Sequence, residues 1–102
     1  MISVKYGFKD GHYTYLNVKG HSMSEDFGKD LICAGVSSIM FGLMNAIDMV
    51  DKQVIIRDLG NNLEIINDGD SEKVNNYLEL AVLQLKTIEE SYSQYIKIDE
   101  RR

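Results

Sequence analysis

The sequence predicts an α+β fold in which two β-hairpins alternate with two helices and the helices pack on a mainly antiparallel sheet. Three observations carry this expectation. Apolar and polar residues alternate in two places, each broken by turn-forming residues; apolar residues recur at steps of three and four over two longer stretches; and 102 residues, 44% of them hydrophobic, suit one compact domain over residues 1–102.

In the first hairpin Ile2, Val4, Tyr6 and Phe8 alternate with Ser3, Lys5 and Gly7. Asp10-Gly11 then turns the chain into Tyr13, Thr14, Tyr15, Leu16, Asn17 and Val18. Gly20 to Lys29 is polar and bracketed by Gly20 and Gly28, with Met23 and Phe27 its apolar members, and reads as a mobile loop. Asp30 can cap a helix running to about Asp51. Its core stripe is expected at Ile32, Val36, Ile39, Leu43, Ala46 and Val50, while Gly35, Ser38 and Gly42 are small enough to admit a close neighbour. Gln53 to Asp58 and Leu63 to Asn67, joined through Gly60-Asn61-Asn62, form the second hairpin. Asp68-Gly69-Asp70-Ser71 leads into a second helix carrying Val74, Tyr77, Leu78, Ala81, Leu85, Ile88 and Tyr92, and Tyr95 to Ile98 reads as a short final strand.

Composition narrows function. Eleven Lys and Arg against sixteen Asp and Glu give a net charge of −5, which argues against direct nucleic-acid binding and favours a cationic partner. One cysteine cannot close an internal disulfide or build a cysteine-based zinc cage, which fits a reducing cytoplasm. The N-terminal residues do not read as a leader, and no run of about 18 uncharged apolar residues points to membrane insertion. With no phosphate-cradling glycine loop, paired-histidine zinc motif or dinucleotide fingerprint, no metal and no cofactor is expected.

Cys33 can be read in two ways. A lone cysteine in an apolar helix is commonly a small buried hydrophobe. If Asp30 caps the helix, however, Cys33 lies in the first turn, where exposed N–H groups and the helix dipole assist thiolate formation. His21, where the first hairpin meets the loop, can fold back over that helix start, take the thiol proton and later protonate a leaving amine; a histidine without a role is the plainer reading, and His12 fits it better. Ser37, one turn after Cys33 on the same face, can hydrogen-bond a bound peptide or simply pack. Asp30 caps, orients His21 or holds a cationic group. Met40 and Met44 line a soft pocket or fill the core, and Glu25 and Asp26 attract a basic peptide or stay solvated.

Gly20-His21, followed by Asp30-Leu31-Ile32-Cys33-Ala34-Gly35-Val36-Ser37-Ser38, resembles the ribosomal-processing cysteine protease family, Prp. The similarity extends over nearly the whole chain, including Asn45-Ala46 and the run Leu83 to Tyr92. It implies a cytoplasmic, homodimeric cysteine endopeptidase that removes the N-terminal extension of large-subunit ribosomal protein twenty-seven, cutting after an aromatic pair. It further implies Cys33 as nucleophile, His21 as general base, and Asp30 and Ser37 as substrate-binding or site-organising residues. Ser22 stands where small apolar residues are common in the family. In this reading the N–H groups at the helix start, including that of Cys33, are the natural oxyanion donors. The competing readings are a non-enzymatic ribosome-assembly module that binds a basic ribosomal protein, and a thiol redox sensor.

Overall fold

Asp10 and Gly11 both take positive φ, 53° and 81°, which a two-residue turn needs if its twist is to match the strands it joins. The turn sets β1 (Ile2–Lys9) antiparallel to β2 (His12–Lys19). The computed structural model describes residues 1–20 and 27–101. Its remaining elements are α1 (Phe27–Val50), β3 (Ile55–Asp58), β4 (Asn62–Ile66), α2 (Glu72–Tyr92) and β5 (Ile96–Arg101). The strands form one sheet in the order β3-β4-β2-β1-β5, antiparallel throughout except that β5 runs parallel to β1. The expected α+β architecture is therefore present, with β5 longer at its C-terminal end than the sequence suggests.

Register gives the sheet two unlike faces, because successive strand residues point to opposite sides. Across the strands, Ile98, Val4, Val18 and Leu63 share one row, and Tyr6, Leu16, Ile65 and Ile56 the next. These rows face the helices and join one apolar cluster with Ile32, Val36, Met40, Leu43, Met44 and Ile47 of α1 and Val74, Leu78, Ala81, Val82 and Leu85 of α2. On the opposite face Asp99, Lys5, Asn17, Glu64 and Arg57 share a row, and a groove of about 500 Å3 runs past Lys5, Tyr15, Asn17, Lys19 and Glu64.

Two expectations for α1 need correction. The helix begins at Phe27, so Asp30 lies within the first turn and does not cap it; Gly28 continues the helix instead of ending the loop. Cys33 consequently sits in the second turn. The buried stripe also differs: Met40, Met44 and Ile47 are in the core, while Ile39 is half-buried and Val50 is exposed. By length and composition Asp30–Val50 is apolar enough to span a membrane; here its stripe is buried against the sheet and α2, as in a core helix.

Local chemistry fixes α2. The Ser71 hydroxyl accepts from the Val74 N–H at 3.2 Å, an N-cap bond. Near its other end Glu89 accepts the Ile98 backbone N–H at 2.8 Å. That bond satisfies a donor on the edge strand β5, so Glu89 is a structural acceptor and not merely a surface charge.

Candidate active site

The site is built from the end of one strand and the second turn of one helix. Gly20 ends β2 with φ of +84°, and its N–H donates to the Asn61 carbonyl in the β3–β4 turn at 3.0 Å. A Cβ on Gly20 would lie 2.8 Å from the Met1 carbonyl oxygen, so both the dihedral and the close approach require glycine here. The strand end is thereby fixed between the start of β1 and the β3–β4 turn.

Beneath it lies Cys33, with no solvent-exposed surface. Its Sγ donates to the Gly20 carbonyl oxygen at 3.7 Å, a sulfur hydrogen bond that joins α1 to the residue immediately before His21. The described end of β2 and the second turn of α1 thus meet at Gly20 and Cys33. His21 itself, with the rest of residues 21–26 including Glu25 and Asp26, lies outside the described residues.

The neighbouring candidates fall as follows. Asp30 and Ser37, one turn before and one turn after Cys33, are both half-buried. Met40 and Met44 are almost completely buried and fill the core, so they do not line a substrate pocket. His12 is exposed at the first hairpin, away from this cluster. The proposed oxyanion role of the Cys33 N–H does not survive the new helix start: only the first N–H groups of a helix lack an intrahelical acceptor, and Cys33 lies beyond them, within the i→i−4 ladder.

Sequence reasoning missed the Gly20 carbonyl, because a backbone acceptor has no side-chain signature. The available signal was a glycine closing a strand directly before the candidate histidine. It also missed Asn67, the one buried polar side chain among the described residues. Its Nδ2 donates to the Tyr13 carbonyl at 3.0 Å, and its Oδ1 accepts from the Gly69 N–H at 3.3 Å.

Away from the site, burial and then the Glu79 charge push the Tyr13 phenol above its ordinary value. Hydrogen bonding with the Tyr6 side chain raises the Lys86 ammonium, whose Nζ lies 5.1 Å from the Tyr6 ring centroid. This pair links α2 to the middle of β1.

The model of the cysteine protease Prp family matches residues 1–97. The chain belongs to that family. It is similar to the ribosomal processing cysteine protease Prp of Staphylococcus aureus, with 30% identity over 104 residues, covering 97% of this chain and 98% of that protein. It is also similar to the crystal structure of the essential ribosomal processing protease Prp from S. aureus with a substrate peptide, at a TM-score of 0.87 and 29% identity, covering 99% of this chain and all of that one. A structure of the S. aureus protease with a covalently linked product peptide gives a TM-score of 0.85 and 30% identity, over 99% and 100% of the two chains. As a Prp-family cysteine protease, this chain needs a thiol nucleophile, and its sequence contains one cysteine.

Proposed function

We propose that this Prp-family protease removes the N-terminal extension of large-subunit ribosomal protein twenty-seven through a Cys33–His21 dyad. His21 takes the Cys33 proton, the sulfur attacks the scissile carbonyl, the leaving amine takes the proton back, and water hydrolyses the resulting thioester. Asp30 and Ser37, one turn either side of the nucleophile, hold the peptide or organise the site. The observation that carries this assignment is the Cys33 Sγ contact with the Gly20 carbonyl, which seats the chain's one thiol at the residue preceding His21. The S. aureus relative, solved with a substrate peptide and with a covalently linked product peptide, supports peptide cleavage at this fold.

The enzyme works in the cytoplasm, as one domain over residues 1–102, without metal or cofactor. Its charge of −5 suits a basic ribosomal protein. It acts as a homodimer, a reading supported by the helical layer, where Leu80 and Leu83 are more than half exposed beside a groove of about 400 Å3 between α1 and α2.

The test is mass spectrometry of a peptide spanning the extension junction. Wild type is expected to cut it after the aromatic pair, and Cys33→Ala and His21→Ala each to leave it intact while retaining the folded circular-dichroism spectrum. Tight binding without cleavage by wild type would instead support the non-enzymatic assembly module. Sedimentation of the same samples reads the dimer.

A further inference from the structure

We infer that the outer face of the sheet binds single-stranded RNA, with the ring of Tyr15 as the stacking surface and the ammonium groups of Lys5, Lys19 and Lys97 as the phosphate contacts. The inference is independent of the cysteine chemistry, because it concerns the sheet face turned away from the helices.

A net charge of −5 argues against nucleic acid only where the charge is spread evenly, and the strand register shows that it is not. On the outer face Lys97 and Lys19 flank Ser3 in one row, Lys5 and Arg57 stand in the next with Asp99 and Glu64, and Arg101 shares the third with Tyr15. Five basic residues thus meet two acidic ones on a chain that is acidic as a whole. Strand spacing puts the Cα atoms of Lys97 and Lys19 about 10 Å apart, with Lys5 about 7 Å along β1 from the serine between them. Among the described residues none of these three lysines forms an ion pair. The acidic groups are offset: Glu64 lies 3.8 Å from Arg57 and accepts from the Asn62 Nδ2 at 3.3 Å, and Asp99 stands between Lys97 and Arg101 on the same side of β5.

Lysines alone would take any anion; Tyr15 selects a strand that carries bases. A Cβ on Gly7, its partner on β1, would lie 2.6 Å from the Tyr15 Cε1 and 2.7 Å from its Cδ1, so glycine at that position lets the ring rest against β1 on the open face of the sheet. Tyr15 is half-buried there and lines the groove of about 500 Å3 together with Lys5 and Lys19. A base stacked on this ring brings the neighbouring phosphates over the lysines, the pairing of aromatic platform and basic track that single strands use. A duplex hides its base faces and an acidic peptide has none, so neither uses the ring. Ser3, half-buried among the three lysines, offers its hydroxyl to a ribose 2′-OH, the group that separates RNA from DNA.

The test is fluorescence anisotropy of a fluorescein-labelled, mixed-sequence single-stranded RNA of about 12 nucleotides, titrated with intact protein up to about 100 μM at about 50 mM and about 200 mM salt. Wild type is expected to bind, with a log–log salt slope of roughly −2, about −0.7 for each of three phosphates neutralised. Lys19→Gln and Lys97→Gln should each weaken binding several-fold and make that slope shallower by about 0.7. Tyr15→Ala should weaken it about 5-fold or more while Tyr15→Phe retains it, with circular dichroism reading the fold of each; Tyr15→Leu, which fills the space over Gly7 without a stacking ring, gives the same reading where the alanine variant does not fold. No binding at the lower salt overturns the inference. Equal binding of duplex RNA, or of single-stranded DNA of the same sequence, overturns it as well, and equal competition by a polyglutamate peptide would assign the face to an acidic protein instead. Lys73→Gln on α2 should leave binding unchanged, and a loss equal to that of Lys19→Gln would remove the binding from this face.

Discussion

Replacing Gly20 with alanine tests the structural half of the site. Three glycines have nearly the same positive φ: Gly11 at 81°, Gly20 at 84° and Gly60 at 79°. A Cβ at Gly11 or Gly60 meets nothing within 4 Å, whereas at Gly20 it lies 2.8 Å from the Met1 carbonyl oxygen. All three substitutions should pay the left-handed backbone penalty of roughly 1–2 kcal/mol. Gly20→Ala must also move that oxygen out toward an ordinary contact. Met1 O belongs to the same peptide unit as Ile2 N–H, which donates to the Tyr95 carbonyl at 2.7 Å where β5 begins, so the movement strains a hydrogen bond of about 0.5–1.5 kcal/mol net. The expected loss is therefore about 2–3 kcal/mol for Gly20→Ala against about 1–2 kcal/mol for Gly60→Ala, or very roughly 10–20 °C in Tm for the former. Urea denaturation with a shared m-value reads the difference. Equal losses for the two variants would refute the claim that the Met1 contact constrains Gly20.

Three further outcomes are expected. Ser71→Ala removes the α2 cap and should cost about 1 kcal/mol in urea unfolding, with Ser71→Gly costing less. Asn67→Ala leaves the Tyr13 carbonyl without its buried donor and should cost about 1–3 kcal/mol while leaving peptide cleavage per folded molecule unchanged. Stability should fall as pH rises past about 10: the Tyr13 phenol and Lys86 ammonium both hold their protons to higher pH folded than unfolded, so the unfolded chain binds fewer protons there and gains. Thermal melts at pH 9 and pH 11 check this, and Lys86→Met should make the loss shallower.

Elements carried by local pattern were legible in the sequence. Asp10-Gly11 announces a two-residue hairpin because few other dipeptides accept two positive φ values, and Ser71 before Val74 and Leu78 marks a helix start. The start of α1 was not legible, because Gly28 reads as a loop boundary although a glycine costs a helix only about 1 kcal/mol, which the packing of the remaining turns outweighs. Choosing Ile39 and Val50 over Met40 and Ile47 followed from several apolar residues competing for one stripe; contact with the sheet decided among them. The parallel pairing of β5 with β1 joins the two ends of the chain and leaves no local trace. For the site, Cys33 and Gly20-His21 stood out as residue types in a family-like pattern, but the Gly20 carbonyl as the acceptor of the Cys33 Sγ did not.

The position of Cys33 links reactivity to packing. The residue lies in the same apolar cluster as Ile2, Val18 and Leu85, under a strand end held by Asn61 and crowded by Met1. A nucleophile on an exposed loop could change its surroundings without disturbing the fold. Cys33 is instead enclosed by the core, and the Gly20 carbonyl that accepts from its Sγ lies at a strand end tied to the β3–β4 turn. Packing changes that shift the β1 terminus are therefore expected to lower peptide cleavage as well as stability, whereas changes on the outer sheet row of Asp99, Lys5 and Glu64 should leave both nearly unaltered. That contrast separates a site seated by the core from one governed by surface charge, since surface control would reverse it: cleavage would follow the outer-row charges, and that dependence would weaken with salt.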